Sequence, residues 1–201
     1  MQKFEEKKFV IPPLKGISPK NIEEHLKLYA GYVKNANGIL DMLVKYHTED
    51  MVGNAYIIGE LHRRLSFEYN GIRNHELYFS ALEGGATPLS SDSAFKKAIE
   101  AIAGSFDNFL AGFKNMSATT RGIGWAVLWY DRKSKQLIGS WVDEQHLGQL
   151  NGAVPILMLD MWEHSYVADY QPSGKKNYIE DFFSNVNWSV IEQNYAEATK
   201  R

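Results

Sequence analysis

PILMLDMWEHSYVADY, residues 155–170, begins as a strand and ends as something else. Its first half is a continuous apolar run of strand length behind a proline, the pattern of a segment buried in a core. Its second half then sets Asp160, Glu163 and His164 around Trp162. An unpaired charge in a core costs several kcal/mol, roughly, so these groups must be paired, exposed or bound to a metal.

Outward from that stretch the chain divides. GWAVLWYD (124–131) turns through residues 132–134 into KQLIGSWVDE (135–144), a hairpin, and PILMLDMW supplies a third strand. Helices are predicted at 177–185 and 188–199 behind the sheet, and at 93–103 and 106–115 ahead of it. Before these, GGATPLSSD (84–92) is a linker dense in glycine and serine. Ser18 followed by Pro19 is a helix start, a side-chain cap and then proline in the first turn. Ile22, Leu26, Tyr29, Tyr32, Val33, Ala36, Ile39, Leu40 and Leu43 recur at helical spacing, which predicts a helix over 19–45. A second helix is expected over 52–82, broken near Asn70 and Gly71. The expectation is an α+β fold of two domains. Residues 1–86 form an antiparallel long-helix hairpin, and residues 87–201 a three-stranded antiparallel sheet with helices.

Composition narrows the chemistry. The chain has 201 residues, 44% of them hydrophobic, enough for a sizeable core. Its net charge of −2 offers no basic surface for a nucleic-acid backbone, so no nucleic-acid partner is expected. With no cysteine, disulfides, thiolate catalysis and cysteine-ligated metal sites are excluded. MQKFEEKKFVIPPLKG lacks the apolar core of a signal peptide, and no window reaches about eighteen apolar residues. The expectation is a cytoplasmic protein with no membrane partner. GIGW (122–125) opens a strand rather than a helix, so it is a tight turn and not a phosphate cradle. Of six histidines, His47 and His62 read as surface residues. His75 and His164 lie among apolar and aromatic neighbours, and with Asp160 they suit zinc, iron or manganese, the oxygen donor favouring the harder ions.

DMWEHSY resembles the D-x-W-E-H-A-[YF] segment of the iron/manganese superoxide dismutases. NHELYF, GIGWAVL, YVKNAN and FFSNVNW resemble four further motifs of that family, in the same order. The resemblance implies superoxide as substrate, dioxygen and hydrogen peroxide as products, and one manganese or iron ion per subunit, manganese preferred. It makes His75, Asp160 and His164 three of the metal ligands. The first ligand is His25 when counted forward from Ser18, and Glu24 when counted back from Tyr32. A single missing residue between His25 and Tyr32 reconciles the counts, because a seven-residue spacing keeps both on one helix face.

The resemblance also assigns an outer layer. The partner of the metal-bound solvent is Gln145, or His146 after a shift of one residue, since the other family position for it is Gly71. Tyr32 is the gateway tyrosine. Trp125, Trp162 and Phe79 form an aromatic shell, and Glu163 reaches the fourth ligand of a partner subunit in a homodimer or homotetramer. Tyr29 and Val167 stand where the family has a histidine and a tyrosine bonded across the dimer. A non-catalytic, metal-stabilised homologue acting as a binding or structural module is the alternative.

Overall fold

The computed structural model describes residues 2–200. Helix α1, Pro19–Asp50, starts as its sequence demands, with Ser18 Oγ accepting from Asn21 N–H at 3.1 Å. It runs past residue 45, where the apolar pattern ends. Its last buried residue is Leu43, and the final turns are held locally, His47 Nδ1 bonding Leu43 O at 2.7 Å and Thr48 Oγ1 donating to Val44 O at 2.8 Å. After a turn in which Gly53 N–H donates to Asp50 Oδ1, helix α2 covers Ala55–Ser80. The predicted break near Asn70 and Gly71 is absent. Asn70 Nδ2 donates back to Ser66 O within the helix, and Gly71 is buried there against a side chain of α1.

Helices α3, Ala94–Ala103, and α4, Phe106–Thr119, are each capped by a serine hydroxyl, from Ser93 and Ser105. Helix α4 outlasts its expected end at 115, and Ser117, buried in that last turn, bonds back to Phe113 O. Strands β1, Trp125–Asp131, β2, Gln136–Val142, and β3, Ala153–Asp160, form an antiparallel sheet in the order β2-β1-β3. The central strand β1 is buried along six of its seven residues. Strand β3 starts two residues before the proline expected to open it. The β1–β3 register shifts between Leu128 and Trp129, placing Pro155 opposite Trp129 with Ile156 as the extra residue. A bulge admits a proline that cannot donate to the ladder.

Helices α5, Lys175–Asn185, and α6, Trp188–Thr199, complete the fold. The core joins Tyr29, Tyr78 and Phe79 of the hairpin to Trp125, Leu157 and Phe182 behind it. The linker is anchored, since Thr87 Oγ1 donates to Asn187 Oδ1 at 2.7 Å and Ser90 N–H to Glu192 Oε1 at 2.7 Å. Among the described residues no helix is long and apolar enough to cross a membrane.

Gly124, at φ 133°, begins β1 in a conformation open to glycine, and a Cβ there would strike Val142 O and Trp141 Nε1. Gly124→Ala is expected to cost about 1–3 kcal/mol from strain and collision. A thermal melt indistinguishable from wild type would contradict this reading of the turn.

Candidate metal centre

Four elements converge on one point between the hairpin and the sheet. Helix α1 presents His25, α2 presents His75, β3 ends on Asp160, and the 3-10 turn Glu163–Ser165 that follows presents His164. One ligand atom from each lies within 4.8 Å of the others. Asp160 Oδ2 is 3.1 Å from His25 Nε2, 3.1 Å from His164 Nε2 and 3.8 Å from His75 Nε2. Its other oxygen accepts from Trp162 N–H at 2.8 Å, which fixes the carboxylate plane.

The protonation of this cluster follows from its burial. His75 Nδ1 is 2.6 Å from Gly71 O, and a carbonyl can only accept, so Nδ1 carries the hydrogen and Nε2 the lone pair. That buried Nε2 has no hydrogen-bond partner. Burial, and then the neighbouring His25 ring, push the His75 pKa down to about 3. Burial lowers that of His25 as well, against the pull of Asp160. For Asp160 burial pushes upward, but the His164 and His25 imidazoles outweigh it and hold the acid well below the usual carboxylate range. Three imidazoles with one carboxylate, one lone pair facing no donor, fit a cation of the zinc, iron or manganese kind.

A second layer stands behind the ligands. Gln145 is fully buried; its Oε1 accepts from Trp125 Nε1 at 3.0 Å and its Nε2 donates to the Tyr32 hydroxyl at 3.0 Å. Asn74, beside His75, donates to Gln145 O at 3.0 Å and so ties this loop to α2. A Cβ at Gly71 would come within 2.7 Å of ring atoms of Tyr32. That glycine makes room for the Tyr32 ring. Trp125 packs on His75 at 5.0 Å between centroids, Trp162 on His164 at 5.6 Å, and Phe79 on His25 at 4.9 Å.

The remaining sequence-derived positions lie outside the cluster. Glu24, one residue from His25 and so turned about 100° around the helix, is exposed and 2.9 Å from Lys27 Nζ. His146 packs on Phe67 at 5.6 Å, with Nδ1 3.9 Å from the Glu144 carboxylate. Glu163 is exposed on the turn. Two contacts were not read from the sequence. Asn74 had its signal in the N-H pair of NHELYF. Tyr29 donates to Glu76 Oε1 at 3.2 Å, accepts from Lys7 N–H at 2.9 Å and stacks on His75, and nothing in the helical pattern marked it as more than core.

Comparisons with known proteins point to one family. Residues 91–194 match the family model described as the C-terminal domain of iron/manganese superoxide dismutases. The chain is 34% identical to an iron superoxide dismutase of Aquifex pyrophilus over all of its own length and 94% of the relative's. It is 34% identical to a manganese superoxide dismutase of Chlamydia muridarum over 88% of this chain and 85% of that protein. An iron superoxide dismutase of Tetrahymena pyriformis is 33% identical over 87% and 89%.

Two outcomes are expected. After dialysis against a chelator, His25→Ala should retain no manganese or iron by elemental analysis, whereas Glu24→Gln should retain it as wild type does; the reverse pattern would move the first ligand by one residue. The metal-free chain should melt at lower temperature as pH falls from 6.5 toward 3, because over that range the unfolded state binds protons that buried His75 refuses. Protonation of Asp160 deepens the loss further down. A melting temperature independent of pH across that window would refute it.

Proposed function

Because this chain belongs to the iron/manganese superoxide dismutases, we propose that it converts superoxide to dioxygen and hydrogen peroxide, using one manganese or iron ion held by His25, His75, Asp160 and His164. The observation that carries the ligand set is the buried His75 Nε2, whose lone pair faces the Asp160 carboxylate with no hydrogen between them. When bound, the ion supplies one-electron exchange with superoxide in both directions. Three neutral imidazoles and a single carboxylate leave most of its charge uncompensated, which favours an anionic substrate.

The chain's own contribution is proton supply and exclusion of water. Peroxide formation consumes protons, and Tyr32 stands where they enter. Its oxygen accepts from Gln145, which leaves its own O–H free to donate. Burial, then the Asp160 carboxylate, push that phenol upward, keeping it a proton donor at neutral pH. Gln145 is held from both ends by Trp125 and Tyr32 and is our choice for the hydrogen-bond partner of metal-bound solvent. Trp125, Trp162 and Phe79 leave little room for bulk water. A site of purely structural purpose would need no such chain of donors, which favours the enzyme over the non-catalytic alternative.

The proposal extends to finer points. Manganese is favoured over iron on the pairing of Gln145 with Gly71. Exposed Glu163, adjacent to His164, supports an assembly in which a second copy of the chain meets this turn, as a homodimer or homotetramer. Residues 1–86 and 87–201 are taken as the two domains, and the cytoplasm as the location.

Gln145→Leu should retain the ion and lose superoxide consumption by about ten- to a hundredfold, the usual cost of removing an outer-layer partner. His146→Leu should stay close to wild type. Stopped-flow assays on samples matched for metal content distinguish these, and damage confined to His146→Leu would transfer the role by one position.

A further inference from the structure

One row of side chains beside the centre is used neither for ligation nor for proton supply. The buried ring of Tyr78 has its centroid 5.0 Å from that of His25. Its hydroxyl accepts from that of Tyr178, also buried, at 3.2 Å. The Tyr178 ring lies 6.3 Å from Tyr170, which is half-buried and donates to Asp181 Oδ2 at 2.7 Å. Lys15 Nζ stands 3.2 Å from the other carboxylate oxygen. Packing alone does not call for phenols here. Phe182 stacks on Tyr78 in the same core at 5.4 Å with no hydroxyl to bury.

We propose that Tyr78, Tyr178 and Tyr170 form an outward path for oxidising equivalents, protecting the centre from its own product. The path rests on the dismutase reading. The oxidant would be a hydroxyl radical, formed together with hydroxide when the O–O bond of product hydrogen peroxide takes up one electron, which the reduced iron or manganese ion held by the centre would supply. The radical takes one electron from Tyr78 and one proton from solvent and becomes water. Tyr178 refills Tyr78, and Tyr170 refills Tyr178. Tyr170 thereby loses one electron inward and its phenolic proton to Asp181 Oδ2, and it rests as a neutral phenoxyl.

Tyr170 is the end of the row because it alone in it has a carboxylate to take its proton. It is also within reach of solvent, where a one-electron reductant of the ascorbate class restores it while Asp181 returns the proton. Tyr32, 5.0 Å from His75, and Tyr166, stacked at 5.4 Å on Tyr178, also border the row, but among the described residues neither hydroxyl bonds a carboxylate as that of Tyr170 does. The competing phenol that does is Tyr29, bonded to Glu76. It is buried beyond such a reductant, and its acceptor is already held by Arg73 at 2.8 Å and Lys7 at 3.3 Å.

The test exposes the metal-loaded chain to hydrogen peroxide with a nitrone spin trap and locates adducts by peptide mass spectrometry. Wild type should carry the adduct at Tyr170. Tyr178→Phe keeps the ring and removes an oxidisable hop, so the Tyr170 adduct should be lost and oxidation should appear at His25, Tyr78 or Trp125. Tyr170→Phe, at the surface end and less demanding of the fold, should abolish that adduct and leave oxidation, read as a mass gain, at Tyr178 or inward of it. Undiminished Tyr170 labelling in Tyr178→Phe, a wild-type adduct at Tyr32, Tyr166 or Trp162 in place of Tyr170, wild-type oxidation at Tyr29, or no wild-type adduct anywhere would overturn the path. Superoxide consumption, measured on the same preparations before peroxide is added, should be unchanged in both variants. Its absence from wild type would sink the dismutase reading instead, independently of where the adducts fall.

Discussion

The Asp160 carboxylate is the constraint around which the molecule is arranged. It is fully buried at the last residue of β3, and three imidazoles from other elements face it. A carboxylate so placed is tolerable only if positive charge comes to it. Neutral histidines cannot supply that charge, and buried His25 and His75 resist becoming cations. The fold therefore creates an electrostatic need at the junction of its hairpin and its sheet, and a metal ion answers it. Binding free energy at that point is folding free energy as well, because the four side chains come from separate elements that must be brought together there.

The rest of the architecture reads as support for that junction. Pairing of Trp125 with Asp160 in the β1–β3 register delivers an indole beside the carboxylate. That indole fixes Gln145, Gln145 fixes Tyr32, and Tyr32 has its place because Gly71 has no side chain. The outer layer thus draws on the sheet, the loop after β2 and both long helices. Its parts are positioned by backbone register and by one missing methyl group, not by loops free to adjust.

Much of this was legible in the sequence, and the rest was hidden for identifiable reasons. Helices α1 and α2 follow from apolar spacing and the Ser18–Pro19 start, but the end of α1 lies beyond its apolar face, where side-chain bonds to the backbone decide. Gly71 was read as a breaker because glycine weakens helices on average; its packing against Tyr32 is a tertiary fact with no local signal. The start of β3 was placed at Pro155 because a bulge opposite Trp129 cannot be seen in one strand alone. At the centre, motif and spacing indicated His75, Asp160 and His164, while His25 and Glu24 differ by one register step that only the helix's orientation separates. Tyr29 was counted as core and is core, yet its hydroxyl makes two bonds that periodicity does not encode.

The four residues of the candidate centre enter the chain in the order His25, His75, Asp160, His164, and the last two arrive only after both long helices, α3, α4 and two strands have been made. A chain emerging in that order has two histidines and no anion to set against them until β3 pairs with β1. Capture of an ion is then an event of late folding, after domains that form in sequence have begun to consolidate. Which ion is captured becomes a contest between the rate at which the centre closes and the local supply of each metal, so the growth medium enters the identity of the finished protein as much as the ligand set does.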